Sequence, residues 1–148
     1  MFCLSKGLGA PAGSMLCGPA DLIAKGRLYR KRLGGGMRQV GVLAAACLIA
    51  LEEMPKRLGD DHANAKFLSE GLARIPGIQI APEKTATNIV VFDVSGTGLA
   101  PAEISVRLKQ RSVLMNGINE RQMRAVTHYD VDRNACSAAL QAIAEAIQ

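Results

Sequence analysis

The sequence predicts an α/β fold, and three features carry that expectation. Beyond Pro76 and Gly77, β-branched runs such as TNIVVFDV (87–94) alternate with stretches of helical composition. Ahead of that point, three helix-like segments follow one another, with glycine or proline near their ends. The chain is 49% hydrophobic but only 3% aromatic, with no tryptophan. That composition excludes disorder and points to a core of small aliphatic side chains on closely packed elements.

Taken in order, GSMLCG (13–18) reads as a short strand bracketed by glycines. Pro19 suits the start of a helix, and ADLIAKGRLYRKRL (20–33) follows with its cations gathered at the C-terminal end, where the helix dipole favours them. The glycine triplet 34–36 ends it. A second helix is expected over 37–54, apolar nearly all round and therefore enclosed by other structure, with Pro55 kinking or ending it. A third covers roughly 57–74, where Leu58, Ala65, Leu68 and Leu72 make one apolar face. IQIAP (78–82) and 87–94 read as strands, 101–111 as a helix, 112–117 and 123–131 as strands. Asp132 caps a last helix, RNACSAALQAIAEAI. The second half thus predicts strand, helix, strand, strand, helix. The first half, with one strand and three helices, does not bury itself and reads as part of something larger.

The 148 residues amount to about one domain by length, and the formal charge of +5 permits an anionic partner without demanding one. Cys3, Cys17, Cys47 and Cys136 show no CxxC spacing and have no histidine close by, so they are expected to be reduced, buried and metal-free in a cytoplasmic protein. The longest uncharged apolar run, VGVLAAACLIAL (40–51), falls short of the roughly 20 residues of a membrane span. No signal peptide is visible.

Several residues bear on chemistry. Lys6 stands in LSKGLGAPAGS, where a glycine-rich turn allows an amine to be positioned; it is either a solvated loop lysine or a nucleophile for a carbonyl. KRLGGGMRQ (31–39) offers either an anion seat, with Lys31 and Arg38 beside glycine N–H groups, or a simple helix cap. The cluster Lys25, Arg27, Arg30, Lys31, Arg32 and Arg38 admits a nucleic-acid groove, but a single aromatic, Tyr29, and no known module argue against one. Arg124, in a largely hydrophobic strand, is either a carboxylate or phosphate fork or a solvent-facing residue. Thr127 and His128 suit backbone positioning, and His62 suits a helix surface. With only these two histidines, no metal set can be assembled.

LSKGLGAPAGSMLCG, RKRLGGGMRQVGVLAAA, LGDDHANAKFLSEGL, TNIVVFDV and RAVTHYDV together resemble the C-terminal portion of low-specificity L-threonine aldolases (the aromatic amino acid β-eliminating lyase/threonine aldolase family) over essentially the whole chain. The resemblance implies a fold-type-I (aspartate-aminotransferase-like) enzyme dependent on pyridoxal 5'-phosphate. It implies that Lys6 links covalently to the cofactor, that Lys31 and Arg38 help hold its phosphate across a subunit interface, and that Arg124 grips the substrate carboxylate. The implied reaction is retro-aldol cleavage of threonine or allo-threonine to glycine and acetaldehyde.

In that family the lysine lies well past the middle of a chain of several hundred residues. Its phosphate loop, ring-stacking histidine, ring-nitrogen aspartate and second carboxylate-binding arginine have no match here. The expectation is a fragment, a truncated reading frame or one piece of a split gene: 1–54 a remnant of the large cofactor-binding domain, 55–148 the small α/β domain, with 57–74 as connector. Impaired activity is expected, with a homo-oligomer or a missing N-terminal half as partner. The alternatives are a non-catalytic piece that docks onto a full-length relative and, less favoured, a basic nucleic-acid-binding protein.

Overall fold

In the computed structural model, which describes residues 1–148, Phe2–Cys3 (β1) pairs antiparallel with Ser14–Met15 (β2). The strand expected over 13–18 is therefore only two residues long. Helix α1 (Ala20–Arg32) and helix α2 (Gly41–Glu52) follow, then a 3-10 turn over Met54–Arg57 that contains Pro55. These segments form one compact unit, Met1–Leu58; the other is Gly59–Gln148.

Helix α1 ends as its sequence predicts. Gly34 adopts φ +83°, the Gly34 N–H donates to Lys31 O and the Gly35 N–H to Arg30 O at 2.7 Å, closing a Schellman cap. A Cβ on Gly35 would lie 2.9 Å from Arg30 O, so only glycine fits. Helix α2 starts four residues later than expected, because 38–40 form a turn with Gln39 at φ 51°. It is also bare. Ala50 is its one buried residue, while Val42, Leu48 and Ile49 are 78%, 60% and 57% exposed. The enclosure predicted for this helix is absent within the chain.

Within the second unit, helix α3 (Leu58–Leu72) continues from the boundary, and strand β3 (Ile89–Asp93), helix α4 (Pro101–Lys109), strands β4 (Asn116–Gly117) and β5 (Gln122–Val126) and helix α5 (Arg133–Ala146) complete the chain. The sheet is antiparallel in the order β3-β5-β4, with Val91 opposite Arg124 and Asn116 opposite Arg124 on its other side. Alternation sends Val90, Phe92, Met123 and Ala125 inward, where they pack with Leu68 and Leu72 of α3, Ile104 and Leu108 of α4, and Ile143 of α5. The other face of the sheet remains open, with Ile89, Val91 and Val126 exposed. Asp132 caps α5 through the Ala135 N–H at 2.8 Å, as expected.

Three predicted strands shrink. IQIAP forms only a bridge between Gln79 and Asp93, since Pro82 lacks an N–H and opens a 3-10 turn. Ile78 and Ile80 still pack on the core, so the alternation there reported burial rather than pairing. SVLMNG pairs only at Asn116–Gly117, because the end of α4 recurls: Val113 N–H donates to Leu108 O and Ser112 takes φ 60°. The strand through 123–131 stops at Val126, where Thr127 turns to other partners.

Candidate functional site

Lys6 lies in the loop that joins β1 to β2. The Leu4 N–H donates to Gly13 O and the Ala10 N–H to Leu4 O, both at 3.0 Å, while the Gly9 N–H donates to Lys6 O at 2.8 Å and folds 6–9 into a turn. Leu4 and Ala10 are buried against Ala50, with Leu8 and Cys47 beside them, and the Cys47 thiol reaches Ala12 O at 3.4 Å. The loop is thus pinned to α2 from below and displays Lys6 at its exposed rim. A primary amine on a loop fixed by these contacts is a group of the right chemistry to condense with a carbonyl, with little loss of loop entropy.

Of the two readings of the glycine triplet, anion seat or helix cap, the backbone bonds bear out the cap. The N–H groups of Gly34, Gly35 and Gly36 donate to Lys31 O, Arg30 O and Gly34 O. The first two cap α1, and the third closes a tight turn onto Gly34. What remains for an anion is side-chain charge: Lys31 in the last turn of α1, its Nζ 3.1 Å from where a Gly36 Cβ would stand, and Arg38 in the turn before α2, both exposed. Lys25, Arg27, Arg30 and Arg32 add to this cationic segment, with Arg32 over the Tyr29 ring at 5.9 Å.

Arg124 belongs to the second unit. It projects from β5 onto the open face of the sheet, in a row with Val91 and Asn116. Sequence alternation left its direction open; the register puts it outward. The strand that carries it is anchored by a buried polar network. The Thr127 hydroxyl donates to Asp61 O at 2.6 Å, the Thr127 N–H donates to Asn88 O at 3.0 Å, and Asn88 Nδ2 returns a bond to Thr127 O at 2.8 Å. Asn64 Nδ2 donates to Val131 O at 3.0 Å and ties α3 to the following turn. Thr127 thus does orient backbone, as expected. Asp61 and Asn64 were missed; three residues apart on the buried side of α3, they were the available signal. His128 lies half-buried with its Nδ1 3.4 Å from Asp130, and His62 is on the helix surface.

The four cysteines are free thiols, but only Cys136 is buried; Cys3 and Cys47 are half-buried and Cys17 is exposed, which corrects the expectation that all are core residues. Burial pushes the Cys136 thiol above its ordinary value. No helix is long and apolar enough to cross a membrane.

Residues 1–95 match the β-eliminating lyase family model. The chain belongs to the β-eliminating lyase family. It is 42% identical over 130 residues to low-specificity L-threonine aldolase 1 of Arabidopsis thaliana, covering 87% of this chain and 36% of that one. The low specificity L-threonine aldolase of Escherichia coli (strain K12) is 42% identical over 132 residues, or 89% of this chain and 38% of that one. A crystal structure from Exiguobacterium sp. 255-15, assigned to the aromatic amino acid β-eliminating lyases and threonine aldolases, superposes with a TM-score of 0.76 at 23% identity, over 97% of this chain and 43% of that one. The chain therefore spans little more than a third of the length of these curated relatives. Its fold is that of the C-terminal part of fold-type-I enzymes, a group that depends on pyridoxal phosphate.

The donors present fit such a cofactor in part. The primary amine of Lys6 suits its aldehyde by chemical type, and Lys31 and Arg38 suit its phosphate through side chains rather than backbone.

Proposed function

We propose that this chain carries the lysine-bearing portion of a pyridoxal-phosphate-dependent threonine aldolase, a lyase that cleaves threonine or allo-threonine to glycine and acetaldehyde in the cytoplasm. The observation that carries the reading is the pinned, lysine-displaying loop within a sequence 42% identical to low-specificity L-threonine aldolases. On this reading residues 1–54 belong to the large cofactor-binding domain and 55–148 to the small one, with 57–74 as connector. Lys6 holds the cofactor covalently, Lys31 and Arg38 neutralise its phosphate, and Arg124 fixes the substrate carboxylate. Bound there, pyridoxal phosphate supplies an electron sink for the pair released when the Cα–Cβ bond breaks. Arg124, by holding the carboxylate, sets which bond at Cα stands in the reactive orientation.

The decisive experiment supplies pyridoxal phosphate to the chain, alone and together with a polypeptide corresponding to the N-terminal portion of a relative, and reads cofactor absorbance and acetaldehyde release from L-threonine. The expected result is weak cofactor binding and negligible turnover by the chain alone, gain of both on complementation, and loss of both in Lys6→Ala. Complementation without any effect of Lys6→Ala would overturn the assignment.

A second reading, a non-catalytic piece that associates with a full-length relative, is favoured by one observation: the bare apolar flank of α2 formed by Val42, Leu48 and Ile49. Co-elution with such a relative, without any gain in aldolase activity over the relative alone, separates it from the first.

A further inference from the structure

We infer that Asn116 is a second carboxylate-binding residue, acting beside Arg124; this rests on the reading of Arg124 as the substrate's carboxylate anchor. The pairing register places Asn116 directly across from Arg124 on the open face of the sheet. Cross-strand partners in such a ladder have Cα atoms about 4.5–5.5 Å apart and project to the same side. Both residues are exposed, and neither side chain is engaged in a hydrogen bond or ion pair within the chain.

The surroundings leave the Arg124 charge without an internal counter-ion. Val91 flanks it on β3, and the adjacent row holds Ile89 and Val126. On the opposite side of the Val91–Arg124 row, two positions along the same face, lies the Asp93 carboxylate, and it is turned elsewhere: the Ser95 N–H donates to Asp93 Oδ1 at 2.7 Å. Hydrogen bonds from Ser95 hold the Asp93 carboxyl below its ordinary range, with a smaller contribution from the Arg121 charge and none from Arg124. A guanidinium in such a setting has vacant donors for an external carboxylate. A carboxylate also has more lone pairs than one guanidinium edge fills, and a neighbouring amide N–H is the matching donor.

Asn116 is held in place from both sides. A Cβ on Gly117 would lie 2.7 Å from Pro101 Cβ, so glycine lets β4 press against the start of α4. The turn back into β5 is closed by Asn119, whose Oδ1 accepts from the Arg121 and Gln122 N–H groups, and the Ile118 N–H donates to Gln122 O. The amide of Asn116 is thus presented beside the Arg124 stem without depending on a ligand. Its neutrality matters, because an acidic residue at this place would compensate Arg124 and repel a carboxylate.

The test is a titration of the isotope-labelled full chain with L-threonine, followed by the side-chain N–H resonances of Asn116 and Arg124, with L-threoninol, which lacks the carboxylate, as control. The expected result is that both resonances move together with threonine and neither with threoninol. Asn116→Ala should weaken threonine binding by roughly tenfold, and Asn116→Asp should weaken it further, while the thermal unfolding midpoint of each exposed-site variant stays close to that of the parent. Movement of Arg124 alone, with affinity unchanged in Asn116→Ala, overturns the inference and leaves the reading of Arg124 standing. Absence of movement at Arg124 overturns both for this chain.

Discussion

The two units of this chain solve the burial problem differently. Gly59–Gln148 lays α3, α4 and α5 over one face of a three-stranded sheet and seals Leu72, Phe92, Leu108 and Met123 from water. Met1–Leu58 has α1 with no buried residue and α2 with one, and its core is Leu4, Ala10 and Ala50 around the lysine loop. Its sequence is no less apolar; α2 is the most hydrophobic helix of the chain. The difference lies in whether partners for the apolar faces are encoded nearby. An amphipathic helix needs one partner surface, which the second unit supplies from its own strands. A helix apolar all round needs several, and the first unit supplies only the loop it braces.

Mutations on the two sides should diverge accordingly. Phe92→Ala, at the centre of the second core, is expected to destabilise that unit by about 3–5 kcal/mol in urea unfolding. Leu48→Ala, the corresponding truncation on the bare helix, should change it by no more than about 0.5 kcal/mol. A large effect of Leu48→Ala in the isolated chain would show that the α2 face is covered in solution, and size-exclusion mass would then identify self-association.

Thr127→Val removes the hydroxyl that reaches Asp61 O from a buried site and should cost about 1–3 kcal/mol in the same assay. Thr127→Ser, which keeps the hydroxyl, should recover most of that loss. Asp132→Ala should cost about 1 kcal/mol by uncapping α5, measured by thermal unfolding. Helices α1 and α2 lack side-chain caps, so no equivalent substitution exists in the first unit.

Thiol chemistry offers a milder contrast. Cys17 should react first with a maleimide at neutral pH, Cys3 and Cys47 more slowly, and Cys136 last, on burial and because desolvation holds it protonated. Site-resolved mass spectrometry checks the order; early labelling of Cys136 would mean that the second unit opens readily. The smallest effect is at Asp93. Its folded-state value is depressed, so its contribution to stability is present above the ordinary carboxylate range and is lost as pH falls through the lowered value. Ser95→Ala should shift the Asp93 carboxyl titration upward, as followed by carbon-detected NMR.

Much was legible in the residue pattern because it concerns local physics. The Gly34–Gly36 stop, the Asp132 cap, the break at Pro55 and the apolar face of α3 through Ala65, Leu68 and Leu72 all follow from backbone freedom, missing donors or helical periodicity. Lys6, Lys31, Arg38 and Arg124 were singled out by motif and by the chemistry open to an amine or a guanidinium. The strands were over-read where pairing, not propensity, decides. Ile78 and Ile80 alternate as a strand would, yet Pro82 and the absence of a second partner leave only the Gln79 bridge.

The amino-acid sequence by itself determined the order of the elements, the helix stops and caps, and which side chains are candidates for chemistry, because each depends on neighbours within a few residues. Tertiary structure alone decided two other matters. Arg124 faces outward, next to Asn116 and away from any internal carboxylate, because the β3-β5-β4 register and the inward demand of Met123 and Ala125 leave it no other side. Lys6 is displayed on a braced loop because Leu4 and Ala10 are drawn onto Ala50. Each depends on contacts between residues far apart in the chain, which local preferences do not encode.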